Sequence, residues 1–486
     1  MKKTMKKTTS TALALLVLLS VGSVSACKKD STEMIEITEG TKYTLAKNWG
    51  EEELHTYYLD SVGENIMPIS GFGGPYTPSG ISYNGHIQPD FNEDKYWQLL
   101  QDCGVNNIVF TWNEYRTDTA AVTKALDQAQ KFGMSYFVRD NGMRNFYNGS
   151  MTIDEVVEPY INHPACAGVF GKDEPAGNAI EMYATLVDAI YTNEKYKGKD
   201  VYMNMLPNYA TSSAFGKYLT YENYIKGYME ECHNIPYLSY DYYPFRTASH
   251  NLDTMNAVGY YDNLAFIREV AMENKVPFWA YICVGELGQA EYPVYPTKEG
   301  YFWNMNTLLA YGAKGLSLYS VIQSPVDEDL TDAAADPIEG KNYMRFGLIG
   351  AMGNVNRWYH YQKEYNQQLQ LIDEYLMNAQ NMGVFAVGNR AKYLGEGDEI
   401  IKNCAFRELK KVLGDEVIVG CFDYHGSTLL YVVNNDIDNK QRITLNFDGN
   451  YGYDIYQRGT VSSVATKALT LTMEAGEGVL VKLRTE

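Results

Sequence analysis

The sequence predicts a (β/α)8 barrel followed by a C-terminal antiparallel β-sandwich, and three observations carry that expectation. Short apolar runs alternate with helix-patterned stretches eight times between about residue 67 and residue 378. Most of these runs are continuously apolar, as strands are when helices cover both faces of a parallel sheet. After about residue 380 the helix signals fade, and runs at 384–388, 417–422, 428–434, 441–447 and 478–483 replace them.

In chain order, the first barrel strand is Met67–Phe72. A helix pattern over 92–103 puts Trp97, Leu99, Leu100 and Cys103 on its apolar positions and ends at Gly104. The second strand is Asn107–Trp112, and the helix over 119–132 stops at Gly133. The third is Ser135–Val138, followed by a helix that Thr152 opens with Asp154 and Glu155 in its first turn. The fourth is Cys166–Phe170, with a helix over about 177–194. The fifth is Val201–Met205, with a helix over about 221–232. The sixth is Tyr237–Tyr242, with a helix over about 257–273. The seventh is Pro277–Val284, with a helix over about 298–312. The eighth is Gly315–Val321, and one long helix over about 343–378 completes the barrel. In the tail, Asp448-Gly449-Asn450 reads as a turn. An open doubly wound sheet is the alternative architecture. It would want a Gly-rich phosphate loop after its first strand, and Gly71-Phe72-Gly73-Gly74-Pro75 is a poor one. Pro75 interrupts the entry to a helix, and no acidic residue closes the second strand. The segment is read as a turn at the barrel mouth.

The first residues read as an address. Lys2, Lys3, Lys6 and Lys7 precede an apolar run at 12–19 that is too short to span a bilayer. The run leads to Val24-Ser25-Ala26-Cys27, which resembles a bacterial lipobox. That resemblance implies a signal peptide over 1–26 and lipidation of Cys27. It also implies an exported protein anchored to a bacterial membrane, at the cell surface or facing the periplasm. Residues 27–60 then form a tether and N-terminal segment with a first strand by about 45, residues 61–378 the barrel, and residues 379–486 the sandwich.

Composition narrows the partners. The 486 residues carry a net charge of −19, which argues against nucleic acid and against electrostatic adhesion to anionic lipid. Membrane contact is therefore expected through the lipid alone. The seven cysteines show no Cys-x-x-Cys or Cys/His spacing, so neither a metal nor another cofactor is expected. Cys103, Cys166 and Cys283 sit in or beside apolar runs and are expected as buried thiols. The 42 tyrosines suit sugar recognition, a wet surface or an interface equally.

Working residues of such a barrel sit where strands run into their following loops. Those junctions supply Trp112, Asn113 and Glu114 after strand two, Arg139 and Asp140 after strand three, and Asp173 and Glu174 after strand four. Asn204 and Asn208 follow strand five, Asp241, Tyr242 and Tyr243 strand six, Glu286 strand seven, and Tyr319 strand eight, while Tyr281 lies within strand seven. Two carboxylates stand out, in Gly171-Lys172-Asp173-Glu174-Pro175 and in Val284-Gly285-Glu286-Leu287-Gly288.

These two motifs and the strand count resemble the large clan of retaining glycoside hydrolases with (β/α)8 barrels. The resemblance covers about residues 60–378. It implies that Glu174 is the acid/base and Glu286 the nucleophile. The clan usually has Asn before the strand-four glutamate, and this chain has Asp173 there. The chemistry is consistent: one protonated carboxyl must protonate the leaving oxygen while an ionised one attacks the anomeric carbon, roughly 5 Å away across the mouth. If Glu286 is not the nucleophile, Asp241 is the next choice. Asp173, Trp112, Asn113, Arg139, Asp140, Asn204, Asp241, Tyr242, Tyr243, Tyr281 and Tyr319 are the expected contacts of an oligo- or polysaccharide. For Trp112 and Tyr281, filling of the barrel interior is the competing role. The alternative function is a non-catalytic glycan-binding lipoprotein on the same scaffold.

Overall fold

A computed structural model describes residues 42–45, 62–63, 65–78, 87–245, 252, 257–285, 297–323, 347–390 and 405–484. Its strands fall into two sheets, each eight-stranded. The parallel sheet contains β2 (Ile69–Phe72), β3 (Asn107–Ile108), β4 (Ser135–Val138), β5 (Cys166–Asp173), β6 (Asp200–Asn204), β7 (Leu238–Asp241), β8 (Phe278–Cys283) and β9 (Gly315–Tyr319). Their order is β6-β5-β4-β3-β2-β9-β8-β7, so sequential strands are neighbours and β9 returns to β2. The remaining seam between β6 and β7 is joined by a parallel bridge between Met205 and Tyr240. The sheet is therefore a closed (β/α)8 barrel.

Helices alternate with these strands: α1 (Asp94–Asp102), α2 (Thr119–Lys131), α3 (Met143–Tyr147), α4 (Ile153–Val157), α5 (Ile180–Tyr191), α6 (Tyr221–Glu231), α7 (Ala257–Glu273), α8 (Lys298–Ala310), α9 (Arg357–Leu369) and α10 (Asp373–Met377). Local chemistry fixes several starts. Thr152 and Glu155 form a reciprocal capping box on α4, and the Thr220, Thr297 and Asn356 side chains cap α6, α8 and α9.

Two barrel elements differ from expectation. The second barrel strand keeps only Asn107–Ile108 in the ladder, although Val109 N–H still donates to Gly71 O at 3.1 Å. The expected helix over 343–378 is two helices. The first begins at Arg357, after Gly347 and Gly353 place left-handed turns at φ 102° and 84°, and residues 370–372 separate it from α10. Residues 343–346 lie outside the described chain.

The second sheet holds β1 (Lys42–Leu45), β10 (Gln380–Gly388), β11 (Leu409–Leu413), β12 (Glu416–Tyr424), β13 (Ser427–Asn434), β14 (Gln441–Gln457), β15 (Thr460–Met473) and β16 (Gly478–Leu483). Its pairs are all antiparallel. The long β14 pairs with β11 at its start and β16 at its end, so the sheet folds over itself as a sandwich. Asp448-Gly449-Asn450 is an irregularity inside β14, where the register shifts between Asn446 and Tyr451, and not a turn between strands.

Side-chain alternation divides the sandwich strands between two cores. Val417, Val419 and Cys421 face the sandwich interior, while Ile418 and Phe422 join the barrel's core. Gly420 falls on the barrel side, where α8 comes so close that a Cβ would stand 2.2 Å from Ala310 O. Polar anchors cross the same junction: Tyr431 Oη donates to Asn306 Oδ1 at 2.7 Å and Trp303 Nε1 to Asn435 Oδ1 at 2.8 Å. Replacement of Gly420 by Ala should therefore destabilise the chain by about 1–3 kcal/mol through overpacking, read as a lower midpoint in urea denaturation.

Candidate active site

Strand parity decides which side chains reach the barrel axis. Just before β7, Tyr237 joins the inner aromatic cluster, whereas Leu238 and Tyr240 on β7, and Tyr242 just beyond, join the core between strands and helices. The same alternation sends Tyr202 and Asn204 on β6 inward, with Trp279 and Tyr281 on β8.

At the C-terminal end of β5, β6 and β7 this rule gathers three carboxyls around one amide. Asp173 is the register partner of Asn204, whose Nδ2 donates to Asp173 Oδ1 at 3.1 Å. The Asn204 Oδ1 accepts from Ser239 Oγ at 2.9 Å, which fixes the amide's orientation. Asp241 is 6% exposed, and its Oδ1 has no hydrogen-bond partner among the described residues. Burial first, then the adjacent charges of Glu174 and Asp173, push the Asp241 carboxyl well above the usual carboxylate range. Burial also raises Asp173, to about 6, against the lowering effect of the Asn204 hydrogen bond. Asp241, the most enclosed of the group, is the carboxyl whose proton is held most firmly against its ordinary range.

Glu174 is the exposed member of the group. Its backbone sits in the left-handed region at φ 50°, held by a hydrogen bond from its N–H to Asn204 O at 2.9 Å. A non-glycine residue there, directly before a proline, costs about 1–3 kcal/mol and is the kind of strain that clusters at functional sites. Arg139, the cation that could have neutralised Glu174 at the rim, instead pairs with Glu114 at 2.8 Å and lies 5.0 Å over the Phe110 ring.

Aromatic rings stand beside the carboxyls. Phe72 and Phe110 stack at 4.4 Å, with Tyr319 tilted against Phe72 at 5.4 Å and Tyr243 against Tyr319 at 5.8 Å. Trp112 meets Phe110 edge-on at 5.2 Å and is the most open ring of the set, at 36% exposure. Below them Tyr281 is buried and accepts a hydrogen bond from Tyr202 Oη at 2.6 Å, so it forms part of the floor.

The other expected contacts are occupied elsewhere. Asp140 is buried, pairs with Arg116 at 3.3 Å and accepts from Gly142 N–H at 2.8 Å, so it organises the loop into α3. Asn113 clamps Thr77 through both its amide atoms, at 2.8 and 3.0 Å. Tyr242 turns away from the axis and packs on Tyr209 and Tyr260. Asn208 donates to Gly259 O at 3.2 Å. Glu286 and Cys27 lie outside the described residues, and the described chain after β8 reaches Gly285. Ser239, Tyr202 and Phe170 complete the site's support, and inward parity on the neighbouring strands is the sequence signal that marks them. Cys103, Cys166 and Cys283 are buried, as expected. Among the described residues no group of three His, Cys, Asp or Glu side chains could hold a metal ion, and no helix is long and apolar enough to cross a membrane.

No family model matches the chain, and no curated protein sequence matches it. Solved structures do. A β-galactosidase from Bacillus circulans sp. alkalophilus aligns over 86% of this chain and 99% of its own, with a TM-score of 0.51 and 9% identity. A glycoside hydrolase aligns over 86% of this chain and 93% of its own, with a TM-score of 0.48 and 10% identity. A β-galactosidase from the psychrophilic Marinomonas ef1 aligns over 64% of this chain and 62% of its own, with a TM-score of 0.41 and 11% identity. At such identities the first of these establishes a shared fold.

The raised Asp173 carboxyl has a consequence for stability. Its folded value lies above the unfolded one, so the stability present below about pH 4 is lost as pH rises through about 6. Asp173→Asn keeps an acceptor for Asn204 and carries no charge. The variant should match the wild type near pH 4 and exceed it by up to about 3 kcal/mol at pH 7, in paired urea denaturations.

Proposed function

We propose that the chain is an exported, lipid-anchored glycoside hydrolase that cleaves a glycan with retention at the anomeric carbon. The observation that carries the reading is the strained, exposed Glu174. It stands beside a proton-holding Asp241 and a wall of aromatic rings, at the end of the barrel where such scaffolds place their chemistry. The shared fold with a β-galactosidase supports the same class.

In this mechanism Glu174 protonates the leaving oxygen and Glu286, the residue after Gly285, attacks the anomeric carbon. Water then enters against the glycosyl-enzyme, with Glu174 acting as base. Asp241 acts through Glu174. Its neutral carboxyl lies beside Glu174 and limits the negative charge that gathers there. Phe72, Phe110, Trp112, Tyr243 and Tyr319 offer flat faces to a pyranose. Asp173, where the clan usually has Asn, takes the place next to the sugar's 2-hydroxyl and can accept a hydrogen bond from it. The lipobox-like Val24-Ser25-Ala26-Cys27 supports the anchor.

The test is turnover of aryl glycosides with the product anomer recorded. Glu174→Gln should lose about 10²–10⁴-fold in kcat on poor leaving groups and far less on a dinitrophenyl glycoside, which needs no acid. Glu286→Gln should fail on both, and full rate in that variant removes it as nucleophile. Glycan binding by a wild-type protein that turns over no glycoside would overturn catalysis in favour of a binding lipoprotein. Separately, Cys27→Ser should shift the protein out of the detergent-extracted membrane fraction.

A further inference from the structure

A cavity of about 870 Å³ lies where the barrel meets the sandwich, walled by the first turns of α8, the second half of α9 and the sandwich connections at 437–440, 458–459 and 474–478. Its size is that of a small-molecule site. α8 follows β8 and runs back along the barrel wall, so its first turn stands at the same end of the barrel as the carboxyls. Hydrogen bonds between barrel and sandwich tie the floor together. Asn306 Nδ2 donates to Gly476 O at 2.8 Å, and Tyr365 Oη donates to Asn306 Oδ1 at 2.9 Å. Gln368 Nε2 donates to Tyr456 O at 3.0 Å, and its Oε1 accepts from Gly459 N–H at 2.9 Å. The cavity is therefore held in shape before any ligand enters, which lowers the cost of binding.

The rim differs from the floor. Glu299, Gln367, Asp438 and Lys440 line the cavity, and their side chains have no partner among the described residues. Gln367, Asp438 and Lys440 are exposed and Glu299 is half-buried, so all four are open to a ligand. They supply two carboxylates, an amide and an ammonium, a mixture of acceptors and donors. The other charges of the lining are spent on one another. Lys298 pairs with Glu364 at 2.6 Å, and Arg458 with Glu477 at 2.7 Å and Glu474 at 3.6 Å. Half-buried Phe302 adds an apolar surface between them. A small anion would meet more carboxylates than cations here. An apolar ligand would strip water from the rim groups and return no hydrogen bonds. An uncharged, hydroxyl-rich ligand suits the lining, because each hydroxyl both donates and accepts and a carboxylate accepts such bonds strongly.

We propose that this cavity binds an uncharged oligosaccharide, with Glu299, Gln367, Asp438 and Lys440 bonding its hydroxyls and Phe302 against its C–H surface. It is a second glycan site, outside the barrel and separate from the carboxyl cluster. The choice of a glycan rests on the hydrolase reading, whereas the cavity and its uncommitted rim do not.

The experiment is hydrogen exchange read by mass spectrometry on the full chain carrying Glu174→Gln, which leaves a glycan uncleaved, with cello-, xylo-, manno- and galactohexaose as probes. At least one hexaose should protect residues 297–302 and 437–440 together and saturably, slowing exchange there about tenfold when the sugar stands at about ten times its dissociation constant. Asp438→Asn combined with Lys440→Ala alters exposed side chains alone and should weaken that saturation about fivefold, the worth of one net hydrogen bond. Phe302→Ala should weaken it as well, and the exposed double variant covers the case where this one does not fold. No protection of these segments by any hexaose, or undiminished protection in the double variant, overturns the proposal. Equal protection by a Gly-Ser hexapeptide marks a peptide site, and protection confined to the barrel strand ends marks the mouth alone; either result overturns it too. Aryl glycoside turnover by the wild type is scored separately. Turnover without protection removes this site and leaves the hydrolase reading standing, and protection without turnover does the reverse.

Discussion

The seam between β6 and β7 is the constraint on which the rest of the barrel mouth depends. It has no full ladder and is held by Met205 N–H on Ser239 O at 2.9 Å and Asp241 N–H on Met205 O at 3.3 Å. Those two bonds set the height of β7 against β6. At that height Ser239 Oγ reaches the Asn204 amide, the amide reaches Asp173, and Asp241 arrives beside Glu174. A slip of one residue would turn Asp241 toward the helices and bring Tyr240 or Tyr242 to the axis. The carboxyl cluster is therefore a product of register before it is a product of composition.

Beneath the mouth the barrel is filled by rings. Tyr237 stacks on Trp279 at 4.4 Å, Phe137 and Phe170 pack on Tyr202, and Tyr202 bonds to Tyr281. Aromatic pairs of this kind add about 0.5–1.5 kcal/mol each beyond their buried area, and rings have few rotamers to lose. The result is a stiff floor under Asp173, Asn204 and Asp241, as suits groups whose proton affinities depend on their separation. Much of the tyrosine excess is absorbed here and between the helices, at positions such as Tyr224, Tyr228, Tyr240 and Tyr260 that need no ligand.

The barrel was legible because its signal is repetitive and local. Apolar runs and glycine stops place α2, α7 and β4 within a residue or so of their observed limits. The ends of β3 and the break between α9 and α10 were not legible, since ladder partners and left-handed glycines decide them rather than hydrophobic period. β11 and β15 escaped for a different reason: β15 faces solvent along most of its length and lacks an apolar stripe. At the site, strand ends could be named, but direction could not. Asp140 and Asp241 look alike in sequence. One is consumed by Arg116 and a turn, and the other meets Glu174. Only parity and neighbours separate them.

The first described strand closes the last sheet: β1 pairs Lys42 with Ala386 and lies at the edge of the sandwich beside β10. The whole barrel is thus looped out between two partners of one ladder. On a chain made from its N-terminus, β1 has no partner until all eight barrel strands and β10 have been produced. The loop that must close is among the longest the chain can form, and such contacts form slowly. The pairing of β1 with β10 is therefore expected to close late, across a barrel and a sandwich that α8 already joins.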